Sequence, residues 1–379
     1  MAFLGVTLKA ISDTKTFTVR AQIINLIVSL INIFLLMIFA LTDWLSLSIY
    51  IAIQMFTSAL LSLIIVINVI LPHKDIFWQW QIKDRLKELR DYFYKYCSPL
   101  VAYSLASFVF EYFDRIVLQR FSGSIEQGFF HLASTWTACC VIFTTSIMPI
   151  YKRELAYSLF NKTKEHAAGM FTKYLKMMFF ITSVIAMYIA FHAWNLLNLL
   201  AGPKYDSAVP VLMLMCFYPI WGVCGQLNGA TFFSSERPTV LRNLGIASLL
   251  WGIPITYFLI ALPTARLPGL GLGAFGLALK TVLINLITVQ VFLRWNCKFF
   301  NLRMLHFWRH QVYSLALIIG TMVIVGWFTS IFIFASGIFF IILKLSLDAL
   351  IYFGVLGVLI YFRPQIAGIT KQDLTDFLQ

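Results

Sequence analysis

The stretch FVFEYFDRIVLQRFSGSIEQGFFHLAS, Phe108–Ser134, sits between two long apolar runs. It places Glu111, Asp114 and Arg115 where a membrane-spanning segment ordinarily has only apolar residues. A charge near the centre of a bilayer costs roughly 2.5–3.5 kcal/mol on insertion scales. Such residues therefore face a bundle interior or water, and they take partners. Whether this stretch lies in a membrane decides the reading of the whole chain.

Composition answers that question. Of 379 residues, 60% are hydrophobic and 12% are charged, with a mean hydropathy of +0.84. Soluble domains carry about 25% charged residues, so most of this chain is not in water. The runs are continuous rather than alternating, which excludes a barrel. The net charge of +13 reflects loops between apolar runs. It reads first as membrane orientation and not as a nucleic-acid surface. The six cysteines share no external loop and show no metal spacing. His306 and His310, four apart in a basic aromatic loop, read as surface. No metal or cofactor is expected. The first twenty residues lack the ordered regions of a signal peptide.

A span needs about 20 apolar residues. Ten runs qualify: 21–41, 46–71, 98–118, 128–151, 175–200, 209–232, 243–262, 274–293, 312–334 and 337–362. Only "ASG", Ala335–Gly337, marks a turn between the last two. Of the 29 Lys and Arg residues, twenty-three fall on one side of this arrangement and four on the other. That asymmetry predicts a multi-pass protein of the cell inner (plasma) membrane with both termini cytoplasmic. Pro149, Pro219, Gly222, Pro254 and Gly276 mark expected kinks.

Two cytoplasmic stretches read as helices lying on the membrane. In the first, Ile82, Leu86, Leu89, Phe93 and Tyr96 share one helical face. The second runs from Lys152 to Lys173.

Glu111 and Arg115 are four apart with Glu first, the favoured order for a helical ion pair. One carboxylate is left over, and Lys280 is its natural partner. At 1.5 Å per residue Lys280 lies about 9 Å below the start of its span, as deep as Glu111. One arrangement puts these charges in a shared water-filled cavity. The other lets Arg115 reach outward to the interface while Asp114 caps loop groups. Lys344 and Asp348, four apart, read as a self-satisfied pair, with Asp348 also placed to carry a coupling proton. His131 and His192 read as interfacial polar groups.

Motif order adds a resemblance. Pro99-Leu100 opens a helix that closes in Asp114-Arg115, and Gly128-Phe129-Phe130 opens the next. Gly202, Tyr205 and Ala208 form a Gly-x-x-Tyr-x-x-Ala loop. "GATFFSSERPTVLRNLGIAS", "LPGLGLGAFGLALKTVLINLI" and the tail "ITKQDLTDFLQ" follow in order. Across residues 76 to 379 the chain resembles the polysaccharide (O-antigen, Wzx-type) flippases of the multidrug/oligosaccharidyl-lipid/polysaccharide exporter superfamily. The likeness implies a non-enzymatic transporter. It would move a polyprenyl-diphosphate-linked oligosaccharide to the outer leaflet by alternating access, for surface polysaccharide assembly. It implies Arg115, Arg120 and Lys280 as cavity cations for the diphosphate. Glu111, Asp114 and Asp348 would be coupling or ion-pair carboxylates, with a proton or sodium ion as driver.

The expected fold is an all-α polytopic membrane helix bundle of about ten transmembrane helices, one complete six-helix lobe plus part of another. Residues 1–75 would be a two-span remnant of an N-terminal lobe, and 76–97 a cytoplasmic amphipathic linker. Residues 98–296 would form the C-terminal six-helix lobe, and 297–379 two additional spans and a cytoplasmic tail. The family has six helices where this chain has two, so a missing N-terminal lobe or the glycan polymerase machinery joins the polyprenyl-linked glycan and the lipid bilayer as expected partners. A drug exporter of the same superfamily, an integral-membrane glycan polymerase or acyltransferase, and an inactive fragment are the alternatives.

Overall fold

A computed structural model describes residues 18–42, 44, 46–73, 86–332 and 337–369. Among these the chain is helical, with no strand. This is an all-α bundle whose long apolar helices make it a multi-pass membrane protein. Residues 76–85 of the expected linker, the turn residues Ala335–Ser336 and the tail from Thr370 lie outside the described residues.

The chain divides into two compact units, with the boundary between Tyr92 and Phe93. In the first, α1 (Thr18–Leu41) and α2 (Leu47–Ile65) form a hairpin. Ser46 caps α2 by accepting a hydrogen bond from Ile49 N. The helix continues through a wide turn at Val66–Ile70 and a tight one at Leu71–His73.

The boundary falls within α3, Leu86–Ala138, whose residues from Phe93 onward open the second unit. A straight helix of that length would be about 80 Å long at 1.5 Å per residue, far beyond a hydrocarbon core of about 30 Å. It does not run straight. Gly123 sits at φ 85°, ψ 178°, a conformation that a residue with a Cβ rarely adopts. The two arms then return alongside each other. Tyr96 of the first arm donates to Phe233 O at 3.0 Å, and Lys152, beyond the second arm, lies 5.8 Å from the same residue's ring. Nine continuous segments are long and apolar enough to cross a membrane, and the longest, Arg90–Asn161, folds in two at Gly123. Ten crossings result among the described residues.

The second arm passes through a tight turn at Cys139–Val141 into α4 (Ile142–Asn161). Thr163 then caps α5 (Lys164–Phe191). The second expected surface helix is thus the ends of two spans joined by a turn. The reason is burial: Tyr151, Leu155, Ala167 and Phe171 are fully buried, so this face of the stretch packs on protein. Helices α6 (Ala193–Leu200), α7 (Val209–Met215) and α8 (Phe217–Ser234) follow. Next come α9 (Pro238–Ile260), α10 (Gly273–Phe300), α11 (Met304–Phe332) and α12 (Ile338–Phe362). Pro149 and Pro254 lie inside unbroken helices. The break falls instead at Cys216, three residues before Pro219.

Helix α5 is the hub, and Ala167, Ala168, Ser183, Ala186 and Ala190 let neighbours approach it closely. Phe179 packs on Trp221 with ring centres 5.4 Å apart, and Phe171 on Phe300 at the same distance. Ile318, Met322, Tyr352 and Leu356 belong to this same core. The two last spans are therefore not set apart from the helices before them.

Glycines separate tight packing from open space. A Cβ at Gly276 would lie 2.9 Å from Leu259 O, whereas one at Gly229 would meet nothing within 4 Å. Gly276→Ala should lower stability by about 1–3 kcal/mol through overpacking of α10 on α9. Gly229→Ala should be neutral or stabilising by up to about 1 kcal/mol. Thermal unfolding in detergent measures both. Equal effects would contradict the packing described.

Candidate functional site: a charged cavity in the helix bundle

Inside the second unit lies a cavity of about 910 Å³. Both arms of α3 line it, with Glu111, Asp114 and Arg115 on the first and Ser134 and Thr137 on the second. Asn285 and Thr288 of α10 close another side. On α8 Gly222 and Gly229 present bare helix to it, while Gly225 between them packs close to α10, where a Cβ would lie 3.1 Å from Val289 Cγ2. A Cβ at Gly222 would find its nearest atom 3.8 Å away. The cavity exists partly because Gly222 and Gly229 have no side chains. Asn285 Nδ2 donates to Tyr218 O at 3.0 Å, tying α10 to α8 across the wall.

Asp114 is the junction of three helices. Its Oδ2 accepts from Lys280 Nζ of α10, and its Oδ1 accepts from Thr256 Oγ1 of α9 at 2.7 Å. The Asp114 and Lys280 side chains are 17% and 11% exposed. Gly252 makes room for this lysine, because a Cβ there would sit 3.1 Å from Lys280 Cε. Arg115 pairs with Glu111 at 2.6 Å, both half exposed. That pair contributes little, about 0–1 kcal/mol, and leaves both groups available to a ligand.

Of the cations named from the sequence, Arg115 lines the cavity, while Lys280 is turned onto Asp114 behind the wall and Arg120 is exposed outside it. The sequence reading missed Lys152, which does line the cavity. It is exposed, and among the described residues it has no carboxylate partner. Its signal was hidden because it belongs to a basic run that looked like a surface helix.

Glu126 was also missed. Its Oε2 accepts from Ala274 N at 2.8 Å, at the positive end of α10. It thereby anchors the helix that carries Lys280. No local pattern connects positions 126 and 274.

Near the end of the bundle where Lys152 lies, Arg237 stacks 3.8 Å above the Phe299 ring and donates to Asn296 Oδ1 at 3.1 Å. Asn296 Nδ2 donates in turn to Asn228 Oδ1 at 2.9 Å. Burial draws the Arg237 pKa from 12.5 down to about 10, so it stays charged. This latch ties α8 and α10 to the loop before α9.

Asp348 lies far from this cavity in the chain and does not line it. Its ion-pair partner is His192 at 3.4 Å, not Lys344. His192 is buried rather than interfacial, because α6 and α12 pack over it. His131 is exposed. His310 is half-buried, with Nε2 2.9 Å from Ile366 O, while His306 faces Lys176. Among the described residues no group of His, Cys, Asp or Glu could hold a metal ion.

Comparison with protein-family models, curated proteins and solved structures finds no match to this chain.

Removing one member of a buried ion pair strands the other charge. Asp114→Asn should therefore cost about 3 kcal/mol in stability, the low end for such pairs. The exchange Asp114→Lys with Lys280→Asp should recover at least half of what either single change loses. Chemical unfolding in detergent reads this, and a swap no better than the worse single variant would refute the coupling.

Proposed function

We propose that this protein is a membrane transporter whose cavity takes the anionic head of an amphipathic substrate and passes it across the bilayer. A polyprenyl-diphosphate-linked oligosaccharide is the substrate class that fits the motif resemblance. The observation that carries this reading is the cavity itself. It lies within a bundle of membrane-spanning helices, and its mainly apolar walls carry polar groups such as Ser107, Thr137 and Asn285. It holds a guanidinium at Arg115 and an ammonium at Lys152 that has no carboxylate partner among the described residues.

The chemistry is that of binding and release. A diphosphate is recognised by Arg in bidentate fashion and by Lys as a point charge. Glu111 competes with the substrate for Arg115, which favours release as well as capture. The neutral donors Asn285, Thr137 and Tyr218 suit sugar hydroxyls. The Asp114–Lys280–Thr256 junction and the Glu126 cap would hold the wall in place without contacting substrate. Binding this cavity alternately to either face needs α3 and α8 to move against α10. The breaks at Gly123, Cys139–Val141 and Cys216 supply points where that motion can concentrate. No catalytic arrangement is invoked, because transport makes and breaks no bond.

The rival in the same superfamily, an exporter of cationic drugs, would use Glu111 as its anchor. Charge reversal separates the two. In liposomes holding the purified chain, transfer of a fluorescent polyprenyl-diphosphate glycan should fall about tenfold or more in Lys152→Glu. That is the scale of one lost charge-assisted hydrogen bond. Gly229→Phe should abolish transfer while leaving the fold intact, since the ring enters open space. Unchanged glycan transfer in both variants, or faster export of a cationic dye in Lys152→Glu, would overturn the proposal.

A further inference from the structure

Helix α12 is tied to α5 by buried polar groups. Tyr188 Oη donates to Leu345 O at 2.7 Å, and Tyr352 Oη donates to Val184 O at 3.0 Å. Beside these, His192 Nε2 stands 3.4 Å from Asp348 Oδ2, with side chains 2% and 0% exposed. Neither Asp348 oxygen nor His192 Nε2 makes a hydrogen bond of ordinary geometry to any described group. The groups facing them are few. Lys344 lies one turn away on α12, Tyr188 on α5 has its ring 4.8 Å from the imidazole, and Thr329 on α11 turns its hydroxyl to Val325 O at 3.1 Å. Lys344 is the one full charge among these groups, and it makes no ion pair among the described residues.

The charge balance of such a pair is decisive. With no proton the pair carries a bare buried carboxylate. With two it carries a buried imidazolium. With one it is neutral overall, whether the proton sits on oxygen or on nitrogen. Buried unneutralised charge is strongly disfavoured among packed apolar helices. We infer that His192 and Asp348 form a proton-binding site that holds one proton between them through the neutral and mildly alkaline range, and that this proton keeps α12 seated on α5. The site is separate from the charged cavity and does not depend on what that cavity carries.

Proton linkage tests this with a definite sign. In the unfolded chain Asp and His titrate near about 3.9 and 6.5. Between those values the unfolded pair also carries one proton, so the site adds no pH dependence. Above about pH 6.5 the unfolded pair carries none and the folded pair one. Stability then falls as pH rises, by up to tenfold in the folding constant per pH unit. In Asp348→Asn the folded histidine is neutral and binds no proton. That variant should be flat above about pH 6.5 and lose stability as pH falls below it. The double variant His192→Gln with Asp348→Asn titrates at neither position and serves as the reference if the single variant does not fold.

The measurement is unfolding of the full chain in detergent micelles between about pH 5 and pH 9, wild type against each variant. Taking the ratio cancels other titrating groups. A ratio of wild type to double variant that declines toward tenfold per unit above about pH 6.5 supports the site. A flat ratio overturns it, since the pair then holds no extra proton. A ratio that changes only below about pH 6.5 overturns it equally, because the carboxylate is then ionised and neutralised elsewhere.

Discussion

Lys280 and Asp114 illustrate the constraint on which the bundle depends. In a medium with little water, an ionised group must find its compensating partner inside the protein. Asp114 on α3 accepts from Lys280 on α10 and Thr256 on α9, so one carboxylate fixes the relative positions of three helices. The same demand explains secondary features around it. Gly252 gives the lysine stem room, and Glu126 holds the start of α10 so that Lys280 arrives at the correct depth. The cost of leaving any of these groups alone is what makes their arrangement specific.

The cavity follows from where such compensation is incomplete. Arg115 is only loosely held by Glu111, and Lys152 has no carboxylate among the described residues. Water must therefore reach both, and the bare helix at Gly222 and Gly229 of α8 provides the space. Elsewhere small residues have the opposite effect. Ala167, Ala186 and Gly276 close gaps, because a neighbouring helix comes up against them. One residue type thus opens the bundle on one face and seals it on another, and the neighbour decides which.

The transport reading rests on this contrast between a dry, close-packed hub at α5 and a wet, charged space beside it. The His192–Asp348 pair is a third environment, polar groups sealed in the dry region, where the overall charge is balanced by a single proton. Each environment makes a different demand on the same chemistry: neutralise, solvate or share.

Much of this was legible in the residues before any coordinates. Length, hydropathy and the rarity of charge determined an all-helical membrane bundle with about ten crossings, because each span must satisfy its own backbone hydrogen bonds. The oddity of Glu111, Asp114 and Arg115 also pointed to the cavity, since charges inside a span need a reason. The helical spacing made Glu111–Arg115 readable, and depth alone matched Lys280 to this cluster. Only the tertiary structure decided the rest. It placed Lys152 on the cavity, turned Lys280 away from it onto Asp114, left Arg120 outside, brought Glu126 to the start of α10, and exchanged Lys344 for His192 as the partner of Asp348. The physical reason is that sequence periodicity reports neighbours three or four residues away on one helix. Ion-pair partners 156 and 166 residues apart, His192–Asp348 and Asp114–Lys280, are chosen by how helices pack, and no local pattern encodes that choice.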